Sequence, residues 1–253
     1  MLEEILSLNI FVFLLVFARM GTAFFLFPGY GSTKVIMRGR LFFALAVSFV
    51  LTPILLDRLP AMPDSPMELF LLIGGEVLAG AIIGSTVKIL FASVQVAGTV
   101  TSFVSGMANA LAYDPISEQQ SAVVAGFLST IATLLLFVTN LHHVLIEAMV
   151  NSYELFKPGV APMPGDILQM VARHVAQTFK VGIQMASPFI VVSMAYYMGL
   201  GVMTRLAPQI PIFFVAMPLQ IVVSFVVLMI VVPSIMMVFL SHTQEGLQFF
   251  LVP

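Results

Sequence analysis

The sequence predicts an all-α, polytopic helical membrane protein built of kinked helical hairpins, and three observations predict it. Hydrophobic residues fill 60% of the 253 positions and charged residues only 9%, whereas a soluble domain carries roughly a quarter charged. Uncharged apolar stretches run over 119–146, 181–204 and 206–244, each beyond the about 20 residues that cross a bilayer core of about 30 Å. These stretches are continuously apolar, unlike the alternating, roughly ten-residue strands of outer-membrane barrels. Helices must therefore satisfy the backbone.

The same composition removes several classes of function. With no cysteine in the chain, disulfides, thiolate nucleophiles and cysteine-ligated metals are excluded. A formal net charge of −2 offers no basic surface for nucleic acid, which is not expected as a partner. Neither a P-loop, nor H-E-x-x-H, nor a serine set beside a base is present, so no catalytic residue, cofactor or metal is assigned.

Taken in order, the first helix is expected over Ile5–Gly31, with Arg19 inside it, and stops at Pro28-Gly29-Tyr30-Gly31, where proline and glycine break the pattern. Glu3 and Glu4 precede it in place of a basic leader, so it reads as a retained segment rather than a signal peptide. Lys34, Arg38 and Arg40 follow within seven residues, ahead of the apolar run Leu41–Leu56. The positive-inside rule puts that basic loop in the cytoplasm. Residues 57–68 hold three prolines and an acidic excess and read as a loop on the opposite side.

The segment Leu69–Val87 contains Glu76, Gly80 and Gly84 four residues apart, on one helical face. Gly80 and Gly84 make a small-xxx-small pair, which lets two backbones approach in lipid. A carboxylate at membrane depth costs roughly 2.5–3.5 kcal/mol on insertion scales, so Glu76 is expected to pair with a basic group on a neighbouring helix, in preference to carrying a proton. From Ile89 to Tyr113, Gln95, Thr99, Ser102, Gly106 and Asn109 recur at alternating spacings of four and three, a small-polar stripe of the kind that joins helices or lines a wet conduit. Asp114-Pro115 ends this helix, because proline disfavours helical geometry in the residue before it. Residues 106–120 are thus expected to form a broken segment at membrane depth, tolerated only where it is buried in protein or borders a cavity.

A single long helix is expected over 119–146, carrying His142 and His143 near its end with Glu147 beyond. That spacing matches no metal signature and reads as interfacial or hydrogen-bonded histidines. Residues 154–166 form a linker rich in proline and glycine, after which Asp166 is placed to cap a helix. Leu168, Val171, Val175 and Phe179 give that helix an amphipathic start, and Pro188 is expected to kink it. The last third reads as one hairpin whose only formal charge between Val181 and Gln244 is Arg205, just before Pro208 and Pro211. Arg205 therefore belongs near a turn, as a snorkelling anchor or a contact to a partner subunit.

Several stretches, in order along the chain, resemble the FliR family of the flagellar type III protein export gate: "RMGTAFFLFPGYGS", "MRGRLFFALAVSFVLTP", "GGEVLAGAIIG", "AYDP", "MASPFI" and above all "GVMTRLAPQIPIFFVAMPLQIVVSF". The resemblance covers nearly the whole length. It implies a non-enzymatic subunit of an export gate in the inner membrane at the flagellar basal body, assembled with FliP and FliQ. FlhB would wrap its entrance and unfolded flagellar proteins would pass through; membrane lipid is a further partner, although the resemblance also implies an assembly lifted toward the periplasm, whose helices face other subunits rather than lipid. It also implies a FliP-like region over 1–180 and a FliQ-like hairpin over 181–253.

In that family the loop matching 106–120 projects into the lumen as a plug, which assigns Gly106, Met107, Ala108, Asn109, Ala110, Leu111, Ala112, Tyr113, Asp114 and Pro115 to the plug. Small residues there suit close but displaceable packing. Glu76, Gly80, Gly84, Arg205, Pro208 and Gln209 are assigned to subunit contacts. An injectisome homologue is a close alternative. A secondary transporter using Glu76, Arg19 and the histidines for coupling is a more distant one, since no inverted repeat is evident.

Overall fold

The computed structural model describes residues 2–31, 35–107, 123–160, 164–206, 209 and 212–251. Among them are seven α-helices and no strand: α1 (Leu2–Leu26), α2 (Met37–Leu55, continued by a 3-10 turn Leu56–Arg58), α3 (Pro66–Val104), α4 (Val123–Val138), α5 (Leu141–Leu155), α6 (Pro164–Leu206) and α7 (Ile212–Leu251). The all-α, polytopic class read from composition is what the structure has. Four stretches, Met37–Arg58, Pro66–Val104, Gly165–Leu206 and Ala216–Leu251, are long and apolar enough to cross a membrane, and the bent pair α4 and α5 makes up to five.

Besides α1, which ends at Leu26 rather than Gly31, three boundaries differ from the sequence reading, each for a physical reason. Leu69–Val87 and Ile89–Tyr113 are not successive segments, because α3 runs 39 residues unbroken from Pro66. Lys88, the charge between them, is exposed on the helix surface and needs no break to reach a polar medium. Conversely, the stretch read as one helix over 119–146 divides at Thr139-Asn140, with α4 and α5 bent by 73°. Asn140 sits at φ 58, a left-handed geometry that asparagine tolerates better than most residues. Finally, α6 starts at Pro164, so Asp166 lies in its first turn rather than at the cap; proline at the first position and an acid in the first turn both favour that start.

Pro188 lies inside α6 and the helix continues on either side. Proline has no N–H to offer the carbonyl four residues back, but the Ser187 hydroxyl donates to the Gln184 carbonyl at 2.7 Å. The neighbouring serine thus replaces the bond that proline removes, a substitution that matters where water is absent.

By compactness the chain forms two units: Met1–Leu90 with Leu136–Val175 and Thr243–Pro253, and Phe91–Leu135 with Ala176–His242. In the first, Leu15, Val16, Met20, Ala23 and Phe24 of α1 are buried. The Phe24 ring meets Phe43 edge-on at 5.0 Å, and Tyr30 stacks on Phe43 at 4.9 Å. In the second, Val94 and Ala97 of α3, Leu128 and Ala132 of α4, Phe189 of α6 and Phe239 of α7 form one apolar core. There a Cβ at Gly98 would collide with the Ala125 backbone, and one at Gly182 with Val96. Small residues let these helices approach, as packing in lipid requires.

The face of α3 turned inward is offset from the expected stripe. Ser93, Ala97, Thr101, Ser102 and Ser105 are buried, whereas Gln95 is exposed and Thr99 only half-buried. Two of these inward hydroxyls donate to carbonyls of their own helix, Ser102 to Gly98 at 2.9 Å and Ser105 to Thr101 at 2.6 Å.

Candidate functional site

In the first unit α1 and α3 approach at Gly80, where a Cβ would run into the Arg19 carbonyl, and at Gly84, where it would press on Leu26 and the Ala23 carbonyl. One turn before Gly80, this brings Glu76 across from Arg19. The guanidinium donates from Nε to Glu76 Oε2 at 2.6 Å and from NH2 to Oε1 at 3.1 Å. It donates further to Ser152 Oγ at 3.1 Å and to the Phe156 carbonyl at 2.8 Å, and lies over the Tyr153 ring, 3.7 Å from its centroid.

Arg19 and Glu76 are each only 1% exposed. A buried pair recovers its desolvation cost only with such paired geometry and further hydrogen bonds. Ser152 serves twice, accepting from Arg19 while donating to the Met149 carbonyl at 2.6 Å. Phe156 is the C-cap residue of α5, its N–H donating to the Ser152 carbonyl at 2.8 Å, and its own carbonyl, beyond the reach of helical N–H groups, accepts from Arg19. Arg19 therefore ties α1, α3 and the end of α5 at one point. A cavity of about 500 Å³ opens beside the pair, lined by Gly75, Leu72, Phe156 and Lys157 among others.

The second unit carries a different polar junction, where α3 stops. Ser105 N–H donates to Thr101 O at 3.0 Å and Gly106 N–H to Phe103 O at 3.3 Å, and the Ser105 hydroxyl also reaches Thr101 O at 2.6 Å. The next carbonyl, Val104 O, accepts from Gln220 Nε2 of α7 at 2.9 Å. The same amide nitrogen donates to Tyr197 Oη of α6 at 3.2 Å, and the neighbouring Tyr196 hydroxyl donates to the Ala216 carbonyl. Gly106 leaves the helix at φ 73, the left-handed geometry that glycine adopts without strain.

The residues expected at functional positions fall as follows. Glu76, Gly80 and Gly84, assigned to a subunit contact, lie against α1 of the same chain. Gly106 begins the break in α3 and Met107 packs into the second core at 8% exposure. Ala108, Asn109, Ala110, Leu111, Ala112, Tyr113, Asp114, Pro115 and Pro208 lie outside the described residues. Arg205 is exposed in the last turn of α6, and Gln209 is exposed in a turn. His142 and His143 stand next to each other, ring centroids 4.0 Å apart, beside Phe137. Gln220 and Ser152 went unremarked in the sequence; an amide within the uncharged run 206–244 was the available signal for Gln220.

The apolar, closely packed helices define a polytopic membrane protein, and its class comes from the family described as "Bacterial export proteins, family 1", which matches residues 10–246. Among curated relatives, the flagellar biosynthetic protein FliR of Caulobacter vibrioides is 33% identical, covering 96% of this chain and 97% of its own. That of Bacillus subtilis is 30% identical over 89% and 88%, and that of Escherichia coli 28% over 91% and 86%. The chain belongs to the FliR family. It is a flagellar biosynthetic export component, multi-pass in the inner membrane at the flagellar basal body.

Proposed function

We propose that the chain is a non-enzymatic subunit of the flagellar type III export gate, forming with FliP and FliQ the channel through which unfolded flagellar proteins leave, with FlhB at its entrance. In this reading 1–180 is the FliP-like region, 181–253 the FliQ-like hairpin, and the segment that begins at Gly106 plugs the passage. The observation that carries the reading is the break of α3 at Ser105-Gly106, held by side-chain hydrogen bonds inside an apolar helical unit. Irregular backbone at such depth is stable only when enclosed by protein or facing a cavity. The secondary-transporter reading loses its coupling carboxylate, since Glu76 is neutralised by Arg19.

Deleting residues 108–114 is expected to raise ion leakage through the assembled gate while FliP and FliQ still co-purify. Unchanged conductance would remove the plug role. Arg205, exposed at the end of α6, serves as a partner contact, so Arg205→Glu should lower co-purification of FliP and FliQ several-fold; normal yield would return Arg205 to a lipid anchor.

A further inference from the structure

At the C-terminal end of a helix the last carbonyls have no intrahelical donor, and a buried carbonyl left so carries a penalty. At the end of α3, Thr101 O and Phe103 O are taken by the Ser105 and Gly106 amides, the single hydrogen of the Ser105 hydroxyl also goes to Thr101 O, and Val104 O is taken by Gln220 Nε2. Only the last of these donors comes from another helix. Gln220 is 6% exposed, and within an uncharged apolar stretch of α7 a buried amide persists only if its hydrogens are used. Both have acceptors: Val104 O and Tyr197 Oη. Its Oε1 lies 3.5 Å from where a Cβ at Gly106 would stand, so the amide also backs the glycine at which the chain turns out of the helix.

We propose that Gln220 is a positioning residue that fixes where α3 ends, holding Val104 and Gly106 so that the chain leaves the helix from one place and in one direction. Tyr197 sets the amide's orientation, because its hydroxyl takes the second N–H and leaves the first aimed at Val104. The hydrocarbon of Gln220 adds packing, but packing alone needs no amide. The consequence for export rests on the plug reading above: a plug that seals must start from a fixed point.

The test uses the gate assembled with its partners, carrying Gln220→Met, which keeps length and loses both donors. Amide hydrogen exchange in the peptide spanning Thr101–Met107 is expected to accelerate about tenfold, the factor for loss of one net hydrogen bond, with exchange in α5 unchanged. Ion leakage should rise with it. Unchanged exchange at Ser105–Met107 would overturn the proposal. Faster exchange without added leakage would leave Gln220 as the residue that fixes the end of α3 and would instead remove the plug reading. Should the Gln220→Met gate fail to accumulate, Tyr197→Phe keeps the Val104 bond and loses only the orienting acceptor. It is expected to accelerate the same amides by a smaller factor, and no change there would overturn the proposal equally.

Discussion

A guanidinium offers five N–H donors in a rigid plane, and Arg19 spends four contacts on Glu76, Ser152 and Phe156 while stacking on Tyr153. Because both charges are almost fully buried, removing one partner strands the other. Arg19→Leu or Glu76→Leu alone should lower stability by about 3–5 kcal/mol, whereas the double variant should recover most of that loss. Thermal unfolding in detergent, or the steady-state level in membranes, reads the difference; single variants as stable as the parent would show that the pair contributes nothing. The pairing of Glu76 with a basic group on a neighbouring helix was legible, since a carboxylate at membrane depth demands a partner. That the partner is Arg19, 57 residues away, was not, because nothing in a linear sequence says which helices touch. Ser152 was invisible for the same reason: a serine signals nothing until an arginine is beside it.

At the scale of elements, the sequence located most helices but misplaced two breaks, in opposite directions. The segments Leu69–Val87 and Ile89–Tyr113 were set apart on either side of Lys88, whose long, exposed side chain needs no interruption. Asn140 concealed one, since an apolar run reads as continuous helix whatever a single asparagine does inside it. The bend at Asn140 rests on its left-handed backbone. Asn140→Gly is accordingly expected to be neutral or nearly so, while Asn140→Val, β-branched at φ 58, should cost about 1–3 kcal/mol. Comparing unfolding midpoints checks this, and equal midpoints would mean the bend is imposed by packing alone. The amphipathic start of α6 has the opposite lesson: Leu168 and Phe179 are apolar and on one face, yet 70% and 55% exposed. The periodicity was correctly read, but a helical pattern does not tell whether its partner belongs to the same chain.

Across the whole molecule, α3, α6 and α7 contain 39, 43 and 40 residues, about 60 Å each at 1.5 Å per residue, twice the hydrocarbon core of a bilayer. Their apolar surfaces therefore extend past lipid. In an 18-residue apolar window of each spanning stretch, only 22% of residues are buried within the chain in α2, α6 and α7, against 56% in α3. Large exposed apolar area beyond the bilayer calls for protein neighbours. The native lack of cysteine makes this measurable with no prior engineering. Single cysteines at Phe214, Met229 and Phe249, all exposed on α7, span about 50 Å, so in permeabilised membranes holding the chain alone at least one should react with a polar maleimide. In the assembled gate the reactive positions should become protected. Full protection of all three without partners would mean that lipid alone covers the helix. One arrangement described above reaches further still. Each compact unit is stitched from separated stretches, and α3, α4, α6 and α7 each cross from one to the other. No contiguous fragment holds one unit without part of the other, so a single stretch of the gene can donate neither unit by itself to a recombinant hybrid.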